Sequence, residues 1–295
     1  MLDEMKRAGV NFVAIVVPYY LKTARDSKIY RHERFSMPMS TVRRTIADAR
    51  RRGMEIFLFP ILRIEDERYG WRGELRPSDV DEFYRSYTDF ILSFAVLAEE
   101  LKLPILSVGS ELSSMDVQED RWRALIAEVR KVYSGKLTYS ANWDHYHAVP
   151  FVDALDYAGV TGYFELAQQG QDPSTEQLVE AWRHYYLKLK RWQHKLGKPL
   201  ILTEVGYLSQ KDAAAWPWKE GADEPLDLEL QRRCYEAVRR VWDSEPDLKG
   251  LYFWNWFGWG GKTSKEYTPR NKPAAEEVSK WFKTSSTAPL SKVVP

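Results

Sequence analysis

The sequence has a single cysteine, Cys234, in 295 residues. One thiol excludes an intrachain disulfide framework and a thiolate metal cluster. Basic and acidic residues nearly balance, 43 against 42, for a net charge of +1. The long-range attraction of a basic domain for nucleic acid or anionic lipid is therefore missing, and no nucleic-acid partner is expected. No apolar run reaches the roughly 18 residues of a membrane span. The opening MLDEMKRAG has no secretory h-region, which leaves the localisation unknown: cytoplasmic for the sequence as given, secreted if a longer N-terminus exists. Signature loops are lacking too. No GxGxxG follows a strand, and neither GxxxxGK[ST] nor GxSxG occurs, which removes the common dinucleotide, phosphate-loop and serine-hydrolase readings. Of the five histidines, His145 and His147 lie two apart with no third ligand at a recognisable spacing, so no metal site is expected.

What is abundant is aromatic: 12 Trp, 17 Tyr and 12 Phe, 14% of the chain. Much of this belongs in a core, because aromatic rings bury large areas, but the surplus asks for a second use. Short runs rich in Val, Ile, Phe and Tyr alternate with longer stretches of helical period. The pattern predicts strands over 11–17, 55–61, 104–110, 136–141, 155–161, 199–205 and 250–256. Helices are expected over about 1–8, 39–52, 77–102, 118–133, 175–196, 226–243 and 273–283, and Gly53, Gly197 and Gly250 are placed to cap helix ends. In the third helix Tyr84, Tyr87, Phe90, Ile91, Phe94, Ala95 and Leu97 form one apolar stripe. This is the signature of βαβ units on a parallel sheet, hence an α/β fold of the TIM (β/α)8-barrel type, with an open doubly wound sheet as the alternative. One domain over residues 1–283 and a flexible tail over 284–295 are expected.

Barrel enzymes work at the C-terminal ends of their strands. There the third strand delivers Glu111, in SVGSEL, and the sixth carries Glu204, in LILTEVGY. The fourth runs into Asn142, Trp143, Asp144 and His145, the fifth into Tyr163 and Glu165, and the last into Trp254, Asn255 and Trp256. Burying a carboxylate without partners costs several kcal/mol, so a glutamate ending each of two apolar strands is poorly explained by packing. A structural alternative is an arginine partner that satisfies each one. Paired carboxylates are the minimum equipment for glycoside hydrolysis, one protonating the leaving oxygen while the other attacks or stabilises the anomeric carbon. Aromatic faces suit the C–H face of a sugar, and Trp254, Trp256, Trp259, Trp216 and Trp218 fit that role. Trp122, Trp182, Trp192, Trp242 and Trp281 lie in helical stretches and are expected in the core.

SVGSEL, LTYSANW, LDYAGVTGYFEL, KPLILTEVGY and LYFWNWF, in that order, resemble glycoside hydrolase family 113. So does GWRGELRPSDVDEFYRSYTDFILSFAVLAEEL, residues 70–101. The resemblance covers residues 5 to about 283. It implies a retaining endo-β-1,4-mannanase on a (β/α)8 barrel, with Glu111 as acid/base and Glu204 as nucleophile. It also implies that Asn142, Trp143, Tyr163, Trp254 and Trp256 line the substrate site. Trp71 and Tyr19 are added as substrate-facing aromatics. Ser110 stands where many members of the wider clan carry asparagine, so the sugar is less defined than the reaction. A β-glucanase, a muramidase-like glycosidase and a non-catalytic carbohydrate-binding barrel stay open. The expected partner is a polysaccharide or oligosaccharide, no cofactor is required, and oligomeric state leaves no mark. In the resembling family the two glutamates end strands four and seven, whereas here they end strands three and six. The equal offset leads to the expectation of a seven-stranded barrel without its first strand.

Overall fold

The structure, a computed structural model, describes residues 1–65, 70–221 and 224–285. Among them are seven strands and seven α-helices, alternating except that two 3-10 turns in place of a helix join β4 to β5: α1 (Leu2–Arg7), β1 (Phe12–Leu21), α2 (Met39–Arg51), β2 (Glu55–Ile64), α3 (Val80–Glu100), β3 (Ile105–Ser110), α4 (Glu119–Val132), β4 (Lys136–Ala141), β5 (Tyr157–Thr161), α5 (Thr175–Leu196), β6 (Leu200–Val205), α6 (Leu228–Trp242), β7 (Leu248–Phe253) and α7 (Ala274–Ser285). The strands form one sheet in chain order, and the four pairings from β1 to β5 are parallel. This is the TIM-barrel type of α/β fold with seven strands among the described residues. Glu111 follows the third strand and Glu204 lies in the sixth.

The chain divides into two compact units, one of Phe12–Thr161 with Leu196–Ile201, the other of Met1–Asn11, Gly162–Lys195 and the described residues from Leu202 on. In the first, α3 turns its predicted stripe inward: Tyr84, Tyr87, Phe90, Ile91, Phe94, Ala95 and Leu97 are all buried. Each large side chain so removed from water contributes about 1.5–3 kcal/mol before entropy is counted. Asp79 starts this helix by accepting the Glu82 N–H, three residues later than the sequence pattern places the start. Trp122 of α4 stacks on Phe151 at 4.8 Å and meets Tyr139 of β4 edge-on at 5.2 Å. In the second unit Trp182 meets Trp242 edge-on, and Phe253 packs on Tyr235 and Trp281. Trp122, Trp182, Trp242 and Trp281 are buried as expected, while Trp192 is half-buried.

Four expectations need correction. β1 and β2 run on to Leu21 and Ile64, pairing over ten residues despite Pro18 and Pro60. Pro18 lies in an edge strand of the sheet, where a missing N–H is tolerated, and β2 pairs with β3 only at Phe57 and Leu58, before Pro60. The last strand ends at Phe253, so Trp254, Asn255 and Trp256 lie beyond it. Gly250 sits inside that strand, and the left-handed residue after α6 is Ser244, with φ 67°. Finally α7 continues to Ser285, so the expected tail boundary after Lys283 falls inside a helix; residues 286–295 lie outside the described ones. No helix among the described residues is long and apolar enough to cross a membrane.

Candidate active site

The first unit builds the surroundings of Glu111. β3 pairs with β4 at Ser107 and Thr138, then shifts register so that Ser110 meets Ser140. Three steps on one strand against two on the other is a bulge, a common device for re-aiming a side chain at a strand end. Gly109 lies within it, still in the strand. A Cβ there would come 2.7 Å from the Tyr87 hydroxyl, 2.8 Å from the Tyr139 ring and 3.1 Å from Trp122. Glycine is required there for the close approach of three rings, and the chain turns at the residues that follow. Glu111 makes that turn, at φ 52°, in the left-handed region that a side chain rarely occupies, and its N–H donates to the Ser140 carbonyl (2.9 Å). Such a residue persists only where its surroundings over-determine it.

Glu111 is 6% exposed, and Arg72 donates to its Oε2 at 2.6 Å. The arginine partner considered for a structural glutamate is therefore present. Arg72 opens a short 3-10 turn, Arg72–Glu74, in the segment GWRGELRP, and the Gly73 carbonyl accepts the Ser114 N–H at 2.9 Å. The loop before α3 and the loop after Glu111 are thereby tied at two points. Trp71 lies across Gly73, its ring 2.0 Å from where a Cβ would stand, and is 41% exposed. Asn142 is buried, its amide donating to Asp144 Oδ1 at 2.8 Å. The half-buried Trp143 donates its backbone N–H to Thr161 Oγ1 at 3.1 Å. Tyr19 is half-buried near the end of β1. Its ring lies tilted against Phe90 at 4.8 Å and meets Phe94 edge-on at 5.6 Å, both on α3.

Below Glu111, the Leu112 N–H donates to the Tyr139 hydroxyl (2.8 Å), which donates in turn to Asp116 Oδ1 (2.6 Å). Asp116 is buried, and its Oδ2 has no hydrogen-bond partner among the described residues. Burial pushes this carboxyl up to about 7, against the pull of the Tyr139 hydrogen bond.

The second unit holds Glu204, 4% exposed. Tyr163 donates its hydroxyl to Glu204 Oε2 at 2.9 Å, and the Glu204 carbonyl accepts the Gly162 N–H at 2.6 Å. The backbone of Trp254 is held at the strand end through its N–H, which donates to the Val205 carbonyl at 2.7 Å. Trp254 and Trp256 are half-buried, whereas Phe257 and Trp259 are 75% and 77% exposed. The loop bearing them is pinned: Asn271 donates to the Trp259 carbonyl (3.0 Å), and Gly261 N–H to the Arg270 carbonyl (2.9 Å). Arg270 is itself paired with the Glu4 carboxylate at 2.8 and 3.0 Å. Of the other loop tryptophans, Trp216 has Lys219 over its ring at 4.1 Å, and Trp218 is 40% exposed. No group of three or more potential metal ligands gathers among the described residues.

The model of one glycosidase family, glycoside hydrolase family 113, matches residues 1–284. The chain belongs to that family. Membership makes it a glycoside hydrolase by class, and the fold agrees with solved relatives. A GH113 β-1,4-mannanase superposes with a TM-score of 0.86 at 22% identity, covering 96% of this chain and 91% of its own. The GH113 β-mannanase of Alicyclobacillus acidocaldarius, solved in complex with ManMIm, gives 0.83 at 24% identity, with the same 96% and 91% coverage. A β-D-glucuronidase of Dictyoglomus thermophilum is more distant: TM-score 0.62, 16% identity, 96% of this chain and 46% of that one. Among curated proteins none matches the sequence. For this family 113 chain, sequence reasoning missed three residues that surround Glu111: Arg72, Tyr139 and Asp116. Arg72 had a signal, a charged residue between Trp71 and Gly73 in a segment already set apart by its resemblance.

Proposed function

We propose that this chain hydrolyses β-1,4-mannan by retaining, endo-acting double displacement, with Glu204 as nucleophile and Glu111 as acid/base. The observation that carries the reading is the Tyr163 hydroxyl on Glu204 Oε2, near the end of a fully buried strand. A donor placed there fixes the carboxyl rotamer and steadies its negative charge. In the first step a Glu204 oxygen bonds to the anomeric carbon, and the glycosidic oxygen leaves with the Glu111 proton. In the second, Glu111 takes a proton from water, the water oxygen bonds to the anomeric carbon, and Glu204 is released. Family membership supports the reaction class, and the mannanases of like fold support the sugar. Asn142, Trp143, Tyr163, Trp71, Trp254 and Trp256 are proposed to line the substrate site.

The test is a panel of mannan, glucomannan, cellulose and peptidoglycan, scored for new reducing ends. Mannan is expected to be cut fastest, with internal cleavage that lowers viscosity early. Cleavage of cellulose or peptidoglycan alone would replace the sugar in this reading, and binding without cleavage of any would remove the reaction. Glu204→Gln and Glu111→Ala are each expected to lower kcat on mannan by at least about a thousandfold with little change in sugar binding.

A further inference from the structure

We infer that Asp116 and Tyr139 are positioning residues for the acid/base carboxylate, acting through the backbone N–H of Leu112; this rests on the proposed role of Glu111. Glu111 occupies a left-handed backbone conformation, and residues on either side must hold it there. On its N-terminal side the tether is its own N–H on the Ser140 carbonyl. On its C-terminal side it is the Leu112 N–H on the Tyr139 hydroxyl (2.8 Å). That hydroxyl has one proton to give, and Asp116 Oδ1 receives it at 2.6 Å. The carboxyl thus decides which way the hydroxyl points, and only in that orientation does a lone pair face Leu112.

The rest of the loop is built around the same pair. The Asp116 and Met115 N–H groups donate to the Leu112 carbonyl at 3.1 and 2.8 Å. The Met115 carbonyl accepts from the Tyr84 hydroxyl and the Trp122 indole, both at 3.0 Å. Leu112, Asp116 and Tyr139 are all buried, so no water replaces a lost partner. A packing role alone would not require Asp116: a buried carboxyl with one oxygen unpartnered costs stability, and an apolar residue would serve better. Such a costly group is expected where geometry at a reacting residue depends on it.

The signature is leaving-group dependence. Glycosides with poor leaving groups need the acid, and dinitrophenyl glycosides do not. Tyr139→Phe and Asp116→Ala are expected to lower kcat on mannan and on nitrophenyl β-mannobioside by about 10- to 100-fold, with KM nearly unchanged. On dinitrophenyl β-mannobioside the loss in kcat/KM, which reports glycosylation alone, is expected to stay within about threefold. Asp116→Asn keeps an acceptor at Oδ1 and is expected to recover most of the activity lost in Asp116→Ala. Folding of each variant is checked by circular dichroism, and Tyr139→Phe, which removes one atom, keeps the test open if Asp116→Ala does not fold. Equal losses in kcat/KM on both aryl substrates, or kcat within twofold of wild type on mannan, would overturn the positioning role alone. Glu111→Ala is run beside them: if its kcat/KM, which reports the first step only, falls equally on both aryl substrates, the acid/base reading falls and this inference with it.

Discussion

Glu111 stands where three demands meet: a strand end, a left-handed backbone and a paired carboxylate. Arg72 answers the last, and its loss is expected to affect catalysis more than folding, because the bridge lies at the strand end rather than in the ring-packed core. Arg72→Ala is expected to lower kcat/KM on mannan about a hundredfold, and Arg72→Lys less, since a point charge keeps attraction without the planar fork. Equal activity in Arg72→Ala would make the bridge incidental. Asp116 gives a second prediction at this scale. Its carboxyl is raised to about 7 in the folded chain, against an ordinary value near 4 when unfolded. Between about pH 4 and pH 7 the folded state therefore holds a proton that the unfolded state has lost, and stability falls as pH rises through that window. The effect is on the order of a few kcal/mol in all. Asp116→Asn removes it, so the variant is expected to gain on wild type in urea unfolding as pH rises from 5 to 7.5. A difference that is constant with pH would contradict the assignment. Neither Arg72 nor Asp116 is legible from local pattern. Arg72 meets Glu111 across 39 residues of chain and Tyr139 meets Asp116 across 23, and nothing in periodicity links such positions.

Among the elements, β3 shows how a strand is shaped to deliver one residue. Its bulge, and the glycine that lets Tyr87, Tyr139 and Trp122 converge, come before Glu111 in the chain and fix its direction. Gly109→Ala would force rings apart in a filled core. It is expected to destabilise by about 1–3 kcal/mol, read as a lower urea midpoint, and to lower activity further than stability explains. The Phe257–Trp259 loop makes a different kind of prediction. It is pinned from Arg270 and Asn271 and exposes two rings, so Trp259→Ala is expected to raise KM for long mannan about tenfold. Hydrolysis of a short aryl glycoside should be unchanged, and an equal effect on both substrates would remove the loop from chain binding. Element identity was legible because Val, Ile, Phe and Tyr runs alternate with helical stripes. Ends were less so. Pro18 reads as a stop, yet it sits in a strand as Pro60 does, and LYFWNW reads as one strand although it stops at Phe253. Proline signals a missing donor, and only the sheet's pairing says whether that donor was needed.

In the whole molecule, seven strands in chain order match the count read from the sequence, and the two glutamates occupy the third and sixth positions as counted. That spacing is legible because the alternation of apolar runs and helical stripes, broken only between β4 and β5, recurs along the chain. The class of reaction follows from family membership, and the assignment of roles to two carboxylates is what remains to be measured. A 2-deoxy-2-fluoro β-mannobiosyl fluoride slows both steps but the second more, so a retaining enzyme accumulates its glycosyl intermediate. Mass spectrometry of the treated, protease-digested protein tests the central claim most directly. The peptide containing Glu204 is expected to carry one fluoro-mannobiosyl group, and Glu204→Gln none. An unmodified Glu204 peptide in an enzyme that is turning over mannan, or a label on Glu111 instead, would contradict it.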